Sequence, residues 1–154
     1  MPDGLYEKDA LAWAEQQSDL LSRLATGERL NADIDWEHVI EEVRDVGLSE
    51  LHGCQNLLIQ AIKHLLKMRV WPDSQALGHW RGETASFLGG ARRNFTPSMR
   101  QRIDLADLYA DALYAVRVEA EAPGEELPET CPFTHDDLLA KQPDIARLLS
   151  KIEV

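Results

Sequence analysis

The segment from Ser49 to Val70 constrains the fold most, because its apolar residues repeat with the period of an α-helix along its whole length. Its central stripe comprises Leu51, Cys54, Leu58, Ala61, Ile62 and Leu65. Leu57, Ile59 and Leu66 widen this stripe to roughly half of the helix circumference, which is broader than a surface helix needs. We therefore predict a buried central helix that ends before Pro72.

Two predicted helices precede this segment. The first begins after Asp3, its N-cap, and ends at Gly27. The second begins after Asp33 or Asp35 as its N-cap, and its apolar stripe ends before Gly47. The apolar stripe of the second helix comprises Trp36, Val39, Ile40, Val43 and Val46. Gly47 either separates this helix from the central one or kinks one longer helix, and the sequence is compatible with both.

Two predicted helices follow the central one. The first runs from about Ser74 to Asn94, and the next opens with Thr96 as its cap and Pro97 at its first position. The residues expected to point inward from this last helix are Met99, Ile103, Ala106, Tyr109, Leu113 and Val116. We expect it to end near Ala122.

The chain changes character at residues 122–132, which contain three prolines and one glycine. We predict a surface loop that is held by Leu127 and Phe133. A short helix should follow, with a capping box formed by Thr134 and Asp137.

No segment of useful length alternates between apolar and polar residues as a strand does. A chain of 154 residues is long enough to bury one core without a metal ion or a disulfide. We therefore predict an all-α fold: one domain over residues 1–154, built as a bundle of about five main helices with a short C-terminal helix. The core is expected in residues 4–122, and the proline-rich loop and short C-terminal helices in residues 123–154.

Charge is divided unevenly along the chain, whose formal net charge is -11. Residues 63–102 carry eight cations and two anions, a net charge of +6, whereas the other 114 residues carry a net charge of -17. The simplest interpretation is that acidic arms fold against this basic centre and neutralise it. A bound anion or an acidic partner is the alternative. The net acidity disfavours general nucleic-acid binding, because polyanions are repelled.

The segment DWEHVIEEVRD suggests a metal site, because it places a histidine and carboxylates one and two helical turns apart. On a helical wheel, however, His38, Glu42 and Asp45 lie opposite the apolar stripe of the same helix. The order of the motif is also the reverse of the Glu-x-x-His element of di-iron bundles, and no second copy is present. We therefore predict a solvated acidic face, with no metal and no cofactor.

His64 lies at the margin of the apolar face of the central helix, so we expect it to be half-buried and Lys63 and Lys67 to point outward. Its simplest role is a hydrogen bond to a neighbouring helix. The alternative is an anion-binding pocket in which His64 and Lys67 meet Trp80 and Arg81 of the next helix.

A second basic group flanks the turn NFTPS and comprises Arg92, Arg93, Arg100 and Arg102. Free backbone N–H groups at the start of the following helix would add to the attraction for an anion. Surface arginines are, however, commonly solvated or paired with acids of the same chain. The candidate ligand-binding residues are His64, Lys67, Trp80, Arg81, Arg92 and Arg93.

The sequence contains no G-x-S-x-G, no P-loop and no G-x-G-x-x-G, so we assign no catalytic residue. Cys54 and Cys131 stand alone, which disfavours a zinc site and predicts reduced, packed thiols. The sequence shows no secretory signal and no apolar run of membrane-spanning length. We therefore expect a cytoplasmic protein without a membrane segment.

Five segments follow in an order that resembles the bacterial family called domain of unknown function 29. They are YEKDALAWAEQQSDLLS, DWEHVIEEVRDVG, LLIQAIKHLLKMRVWP, the tryptophan of GHWRGE, and LPETCPFTHDDLL. The resemblance extends from about Tyr6 to Leu139, and its best markers are the His64–Lys67 tetrapeptide and the Cys131–Pro132 pair.

This resemblance implies an all-helical bacterial protein of a family without an established activity. It also implies that His64, Lys67 and Trp80 are typical of the family. The segment RGETASFLGGARR departs from the more strongly helical segment that is usual there. Roles for the arginines of this region therefore do not follow from the resemblance.

We interpret the chain as a small cytoplasmic binding or regulatory module that acts through an unidentified protein partner or as a homodimer. The interpretation depends on the absence of catalytic signatures, the helical architecture and the divided charge. The alternative is a binder of anions or nucleic acids that uses the basic residues 63–102. A metal-dependent or hydrolytic enzyme is the remote third interpretation.

Overall fold

The structure is a computed structural model that describes residues 4–153, and every regular element in this range is helical. The prediction of an all-α helical bundle is confirmed. The chain divides into two compact units, Met1–Leu48 and Ser49–Val154, which we describe separately.

The first unit contains three helical segments. They are α1, Leu5–Lys8, α2, Ala10–Ala25, and the beginning of α3, Trp36–Val70. Asp9 separates α1 from α2, and its side chain accepts a hydrogen bond from the N–H of Ala12 at 3.0 Å. The single helix predicted here is therefore two helices. α2 ends before Gly27, which has a left-handed φ of 99°, as predicted. The predicted Asp3 cap lies outside the described residues.

α3 is one continuous helix of 35 residues that begins in the first unit and ends in the second. Gly47 is helical, and a Cβ atom at this position would meet no atom within 4 Å. Of the two arrangements that the sequence permits, the structure therefore has the single longer helix.

The first part of α3 has the opposite orientation to the one predicted from its apolar stripe. Val43 and Val46 are 70% and 66% exposed, whereas the His38 side chain is only 17% exposed and Glu42 is half-buried. The predicted solvated acidic face is thus correct for Asp45 but wrong for His38 and Glu42. A helical wheel shows which residues share a face, but it does not show which face the neighbouring elements cover.

The apolar core of the second unit forms around the later part of α3. All six residues of the predicted central stripe, Leu51 to Leu65, are buried, which confirms this part of the central helix. They pack with buried residues of α4, Leu77–Asn94, and α5, Leu105–Ala120.

α5 begins later than predicted. Pro97–Met99 forms a separate short 3-10 helix, and Thr96 makes no capping hydrogen bond. Asp104 caps α5 instead, because its side chain accepts a hydrogen bond from the N–H of Ala106 at 3.0 Å. The predicted Thr96 cap for this helix is therefore wrong. Ala106, which was predicted to point inward, is exposed.

The proline-rich segment is anchored as predicted, because Leu127 and Phe133 are both buried. The predicted capping box is also confirmed: the N–H of Asp137 donates to Oγ1 of Thr134, and the N–H of Thr134 donates to Oδ2 of Asp137. The remaining helices are α6, His135–Leu139, and α7, Ile145–Ser150. Both pack against α4.

Candidate functional site

His64 is half-buried on α3, as the helical wheel predicts. Its Nδ1 lies 2.7 Å from the carbonyl oxygen of Gln60, one turn earlier on the same helix. Since a carbonyl oxygen only accepts, Nδ1 carries the proton in this contact. The ring packs against Phe87 of α4, with the centroids 5.3 Å apart. The polar contact of His64 thus stays within its own helix, and its ring supports the contact with α4.

Lys67 and Trp80, two further candidate residues, are in contact. The Nζ of Lys67 lies 4.9 Å from the centroid of the Trp80 ring and 3.2 Å from Oε1 of Glu119 on α5. The Lys67 side chain is only 18% exposed, so the expectation that it points outward is wrong. An indole face and a carboxylate both attract an ammonium group. Lys67 is therefore engaged within the fold.

Arg81, Arg92 and Arg93 are exposed on α4, and no carboxylate in residues 4–153 forms an ion pair with them. Arg92 lies about 17 Å from Arg81 along the helix axis, at a rise of about 1.5 Å per residue. The structure thus brings Lys67 and Trp80 together, with His64 one turn away, but it does not gather the arginines around them.

The basic centre is neutralised in part by residues outside it. Besides the pair made by Lys67, the guanidinium of Arg100 lies 2.9 Å from Oδ1 of Asp136. The Nε of Arg69 donates to the carbonyl oxygen of Ile152 at 3.0 Å. These contacts tie the acidic C-terminal part of the second unit to the basic residues.

An open cavity of about 640 Å³ lies beside Trp80 in the second unit. Its lining includes Trp71, Asp73, Ser74, Trp80 and Glu119. The two indole rings have centroids 6.1 Å apart and an interplanar angle of 41°. The walls of this cavity are therefore aromatic and acidic, whereas the sequence suggested a pocket for an anion.

Of the aromatic and charged residues that line this cavity, sequence reasoning identified only Trp80. Trp71 and Asp73 flank Pro72, which follows the central helix. The sequence WPD therefore already indicated that an indole and a carboxylate lie in the turn that leads to the helix of Trp80. Glu119 comes from α5, and no local pattern could assign it to the same place.

A buried polar network connects α2 to the start of α3 in the first unit. Oδ2 of Asp35 accepts hydrogen bonds from Nε1 of Trp13 at 3.1 Å and from Nδ1 of His38 at 2.7 Å. The N–H of Asp35 donates to Oε1 of Gln17 at 2.8 Å. Burial alone would raise the pKa of the Asp35 carboxyl group. The hydrogen bonds from His38 and Trp13 outweigh burial, so the pKa is lowered. Asp35 is therefore held as a carboxylate.

His38 is the basic partner of the Asp35 carboxylate in this network. Its hydrogen bond with Asp35 raises the pKa of the imidazole above the usual 6.5, in spite of burial. Its Nε2 lies 3.6 Å from Oε1 of Glu7. The hydroxyl of Tyr6 donates to Oε1 of Glu42 at 2.7 Å, which raises the pKa of Tyr6 to about 12. Because each of these groups already has a partner, the network holds the helices together.

An open groove of about 500 Å³ lies between α2 and α3, within the first unit. Its walls include Ala14, Ser18, Leu21 and Ala25 of α2 and Val39, Val43 and Val46 of α3. On each helix these residues are three or four positions apart, so each helix contributes one continuous stripe. The α2 wall is about 17 Å long, or about three helical turns.

Within residues 4–153, no group of three or more His, Cys, Asp and Glu side chains is arranged to hold a metal ion. Cys54 and Cys131 are free thiols, and burial raises the pKa of both. In the same range, no helix is both long and apolar enough to span a membrane.

Comparison with known proteins agrees with the motif order in the sequence. The family model for Domain of unknown function DUF29 matches residues 5–142. The crystal structure of an alpha-helical protein of unknown function from Rhodospirillum rubrum ATCC 11170 is similar, with a TM-score of 0.74 and 28% sequence identity. The match covers 97% of this chain and 98% of that chain. A comparison with curated proteins gives no match. The chain belongs to the family defined by the domain of unknown function DUF29, for which no function is assigned.

Proposed function

We propose that this chain is a protein-binding module whose first unit accepts a basic amphipathic helix of a partner protein. The observation that carries the proposal is the groove between α2 and α3, where apolar side chains remain in contact with solvent. Ile40, Val43 and Val46 form an exposed stripe on α3, and water contact with such a stripe is unfavourable unless another surface covers it.

The length and shape of the groove favour a helix as the occupant. A helix that binds in a groove inserts apolar anchors at i, i+3 or i+4, and i+7. A wall of about three turns accommodates three or four such anchors. Small residues on α2, such as Ala14, Ser18 and Ala25, leave room for larger side chains of the partner.

The charge of the first unit favours a basic partner. Residues 4–48 contain eleven Asp or Glu and four Lys or Arg residues, a net charge of -7, and Glu42 lines the groove itself. Lys and Arg on the flanks of the bound helix would complement this charge and speed association. A second copy of the chain would place like charges opposite each other, which makes self-association the weaker form of the proposal.

The proposal is tested with a photoreactive p-benzoylphenylalanine at position 43 of the full chain, expressed in its host bacterium. Val118, which is 63% exposed on α5 of the second unit, is the matched control position. We expect a crosslink from position 43, and none from position 118, to a segment of another protein with helically spaced apolar and basic residues.

That segment, synthesised as a peptide, should bind the purified chain and become helical. We expect Val43→Lys to weaken this binding by at least about tenfold, since it places a charge in the groove, and Val118→Lys to leave it unchanged. A crosslink from position 43 only to a second copy of the chain would establish self-association instead. No crosslink, an acidic segment, or equal sensitivity to both variants would also overturn the proposal.

The alternative, a binder of anions or nucleic acids that uses residues 63–102, has less support. Lys67 and Arg100 are already ion-paired, and Arg81 lies far along α4 from Arg92 and Arg93. A titration of the chain with DNA, RNA and nucleotides at low salt tests this alternative. Binding that weakens steeply as salt is added would favour it over the protein-binding module.

We further propose that the module works in the bacterial cytoplasm. The free thiols of Cys54 and Cys131 fit a reducing compartment. Recovery of the chain in the cytoplasmic fraction of its host tests this location, and recovery in the periplasmic fraction would contradict it.

A further inference from the structure

We infer that the cavity beside Trp80 in the second unit is a binding site for an alkylammonium group, held by the indoles of Trp71 and Trp80 and the carboxylates of Asp73 and Glu119. This inference does not depend on the groove in the first unit, because the two sites share no residue.

The surroundings of this cavity already hold one ammonium group. The Nζ of Lys67 lies over the Trp80 ring at 4.9 Å from the centroid and 3.2 Å from the Glu119 carboxylate. An indole face and a carboxylate thus surround an ammonium group at this place in the fold. Next to them, the open cavity presents a second indole, Trp71, and a second carboxylate, Asp73.

The geometry of the indole pair also favours a cation. The rings of Trp71 and Trp80 meet at 41° with centroids 6.1 Å apart, so they form two walls of an incomplete aromatic cage. Aromatic faces attract cations within about 6 Å of the ring centroid, and such cages are used for quaternary ammonium ligands. Lys67 covers the Trp80 ring, and in the described part of the chain no cation lies over Trp71. The free indole surface of the cavity is therefore that of Trp71.

The charges around the cavity favour a cation as well. Asp73 and Glu119 contribute two negative charges, and Lys67 compensates one of them. Helices α3 and α5 both end at this cavity, at Val70 and Ala120, and a helix C-terminus carries about half a negative charge. The N-terminus of α4 opposes these two ends with about half a positive charge. The negative charges around the cavity therefore exceed the positive ones, which favours a cation as the ligand.

The size of the cavity agrees with a small ligand or a single side chain. Its volume of about 640 Å³ is in the range of small-molecule sites, and it is widely open to solvent. The ammonium group can therefore belong to a free amine or to a lysine side chain of a peptide. Titration with choline and with a lysine amide distinguishes these two sources.

The test is a titration of the full chain monitored by the indole N–H signals in ¹H–¹⁵N NMR spectra. The chain has four tryptophans, and Trp71→Phe and Trp80→Phe variants assign the two relevant signals. The probes are choline, its neutral isostere 3,3-dimethylbutan-1-ol, and N-acetyl-lysine methylamide. We expect choline to shift the signals of Trp71 and Trp80 but not those of Trp13 and Trp36.

Because the attraction depends on charge, the neutral isostere should bind at least about tenfold more weakly than choline. Tighter binding of choline than of the lysine amide would indicate a free quaternary amine as the source. Tighter binding of the lysine amide would indicate a peptide side chain. Equal binding of choline and its neutral isostere, or no shift of the Trp71 signal with any cation, would overturn the inference.

Variants of the charged residues sharpen the test. Asp73→Asn should weaken choline binding by about fivefold, whereas Asp111→Asn, an exposed carboxylate elsewhere on the second unit, should leave it unchanged. Lys67→Met should strengthen binding by about fivefold, because it uncovers the Trp80 ring and releases Glu119. Weaker binding by a folded Lys67→Met variant, or equal effects of the two Asp variants, would contradict the inference. Asp73 lies on an exposed turn, so its variant remains informative if Lys67→Met does not fold.

Discussion

The rings of Tyr6 and His38 are stacked, with centroids 3.9 Å apart and an angle of 16° between their planes. The Trp13 ring is nearly perpendicular to both, with its centroid 5.0 Å from that of Tyr6 and 6.2 Å from that of His38. The only buried apolar residues described in the first unit are Trp13 and Ile34. Stacked rings around the buried Asp35 carboxylate therefore take the place of a large apolar core in this unit.

This arrangement predicts how stability depends on pH. The pKa of His38 is raised in the folded state, so its charge stabilises the fold fully below the unfolded pKa of about 6.5. The stabilisation is lost as the pH rises through the folded pKa. Asp35, with its lowered pKa, stays ionised above about pH 4. It therefore does not alter the direction in which stability changes with pH where His38 titrates.

The measurement is urea unfolding of the wild type and His38→Gln between about pH 5.5 and 8.5, together with an NMR titration of the His38 ring. We expect the difference in unfolding free energy between the two proteins to decrease as the pH increases. A His38 ring that titrates at or below its usual pKa, or a difference that grows with pH, would disprove the role assigned to the Asp35–His38 pair.

A second prediction concerns the two indoles of the first unit. Trp13→Phe removes the N–H donor to the buried Asp35 carboxylate, which should lower the unfolding free energy by about 2 kcal/mol. Trp36→Phe is the control, because Trp36 is 38% exposed and its indole donates to a backbone carbonyl at the surface. We expect a loss below about 1 kcal/mol for the control. Denaturant unfolding measures both, and equal losses would argue against the buried network.

A third prediction tests the continuity of α3 at Gly47. Alanine at a helix interior position without steric contacts should stabilise the protein by about 0.5 to 1 kcal/mol, because glycine loses more conformational freedom on folding. Gly53→Ala, on the same helix and also without atoms within 4 Å, should give a similar gain. Gly47→Pro should cost about 3 kcal/mol or more, since it removes a helical hydrogen bond. Thermal unfolding followed by circular dichroism checks all three, and a well-tolerated proline would show that the helix breaks there.

Sequence patterns predicted those parts of the fold that depend on local chemistry. The Thr134–Asp137 capping box and the apolar stripe from Leu51 to Leu65 are examples, since both are specified within a few residues of chain. The orientation of the first part of α3 was not predictable in the same way. It depends on hydrogen bonds between His38, Asp35 and Trp13, and these residues come from separate segments.

The same limit applies to the candidate sites. The sequence predicts that Lys67 and Trp80 lie close together, because helices joined by a short turn are neighbours, and the two side chains are in contact. It could not show that Glu119 of α5 neutralises Lys67, because that contact joins residues far apart in the chain. Without Glu119, the positive residues suggested a site for an anion, whereas the complete cavity suits a cation.

A final prediction concerns the proline-rich loop of the second unit. The hydroxyl of Tyr109 on α5 donates to the carbonyl oxygen of Pro128, and burial raises the pKa of this phenol to about 12. Tyr109→Phe should therefore lower the unfolding free energy by about 1 to 2 kcal/mol, because the carbonyl group loses its donor. Tyr114→Phe, on the same helix, is the control, since Tyr114 is 73% exposed and should change stability by less than about 0.5 kcal/mol. Urea unfolding of both variants, with near-ultraviolet circular dichroism to follow the tyrosine environment, measures the difference. Equal effects at the two positions would mean that the Tyr109 hydroxyl does not hold the loop against α5.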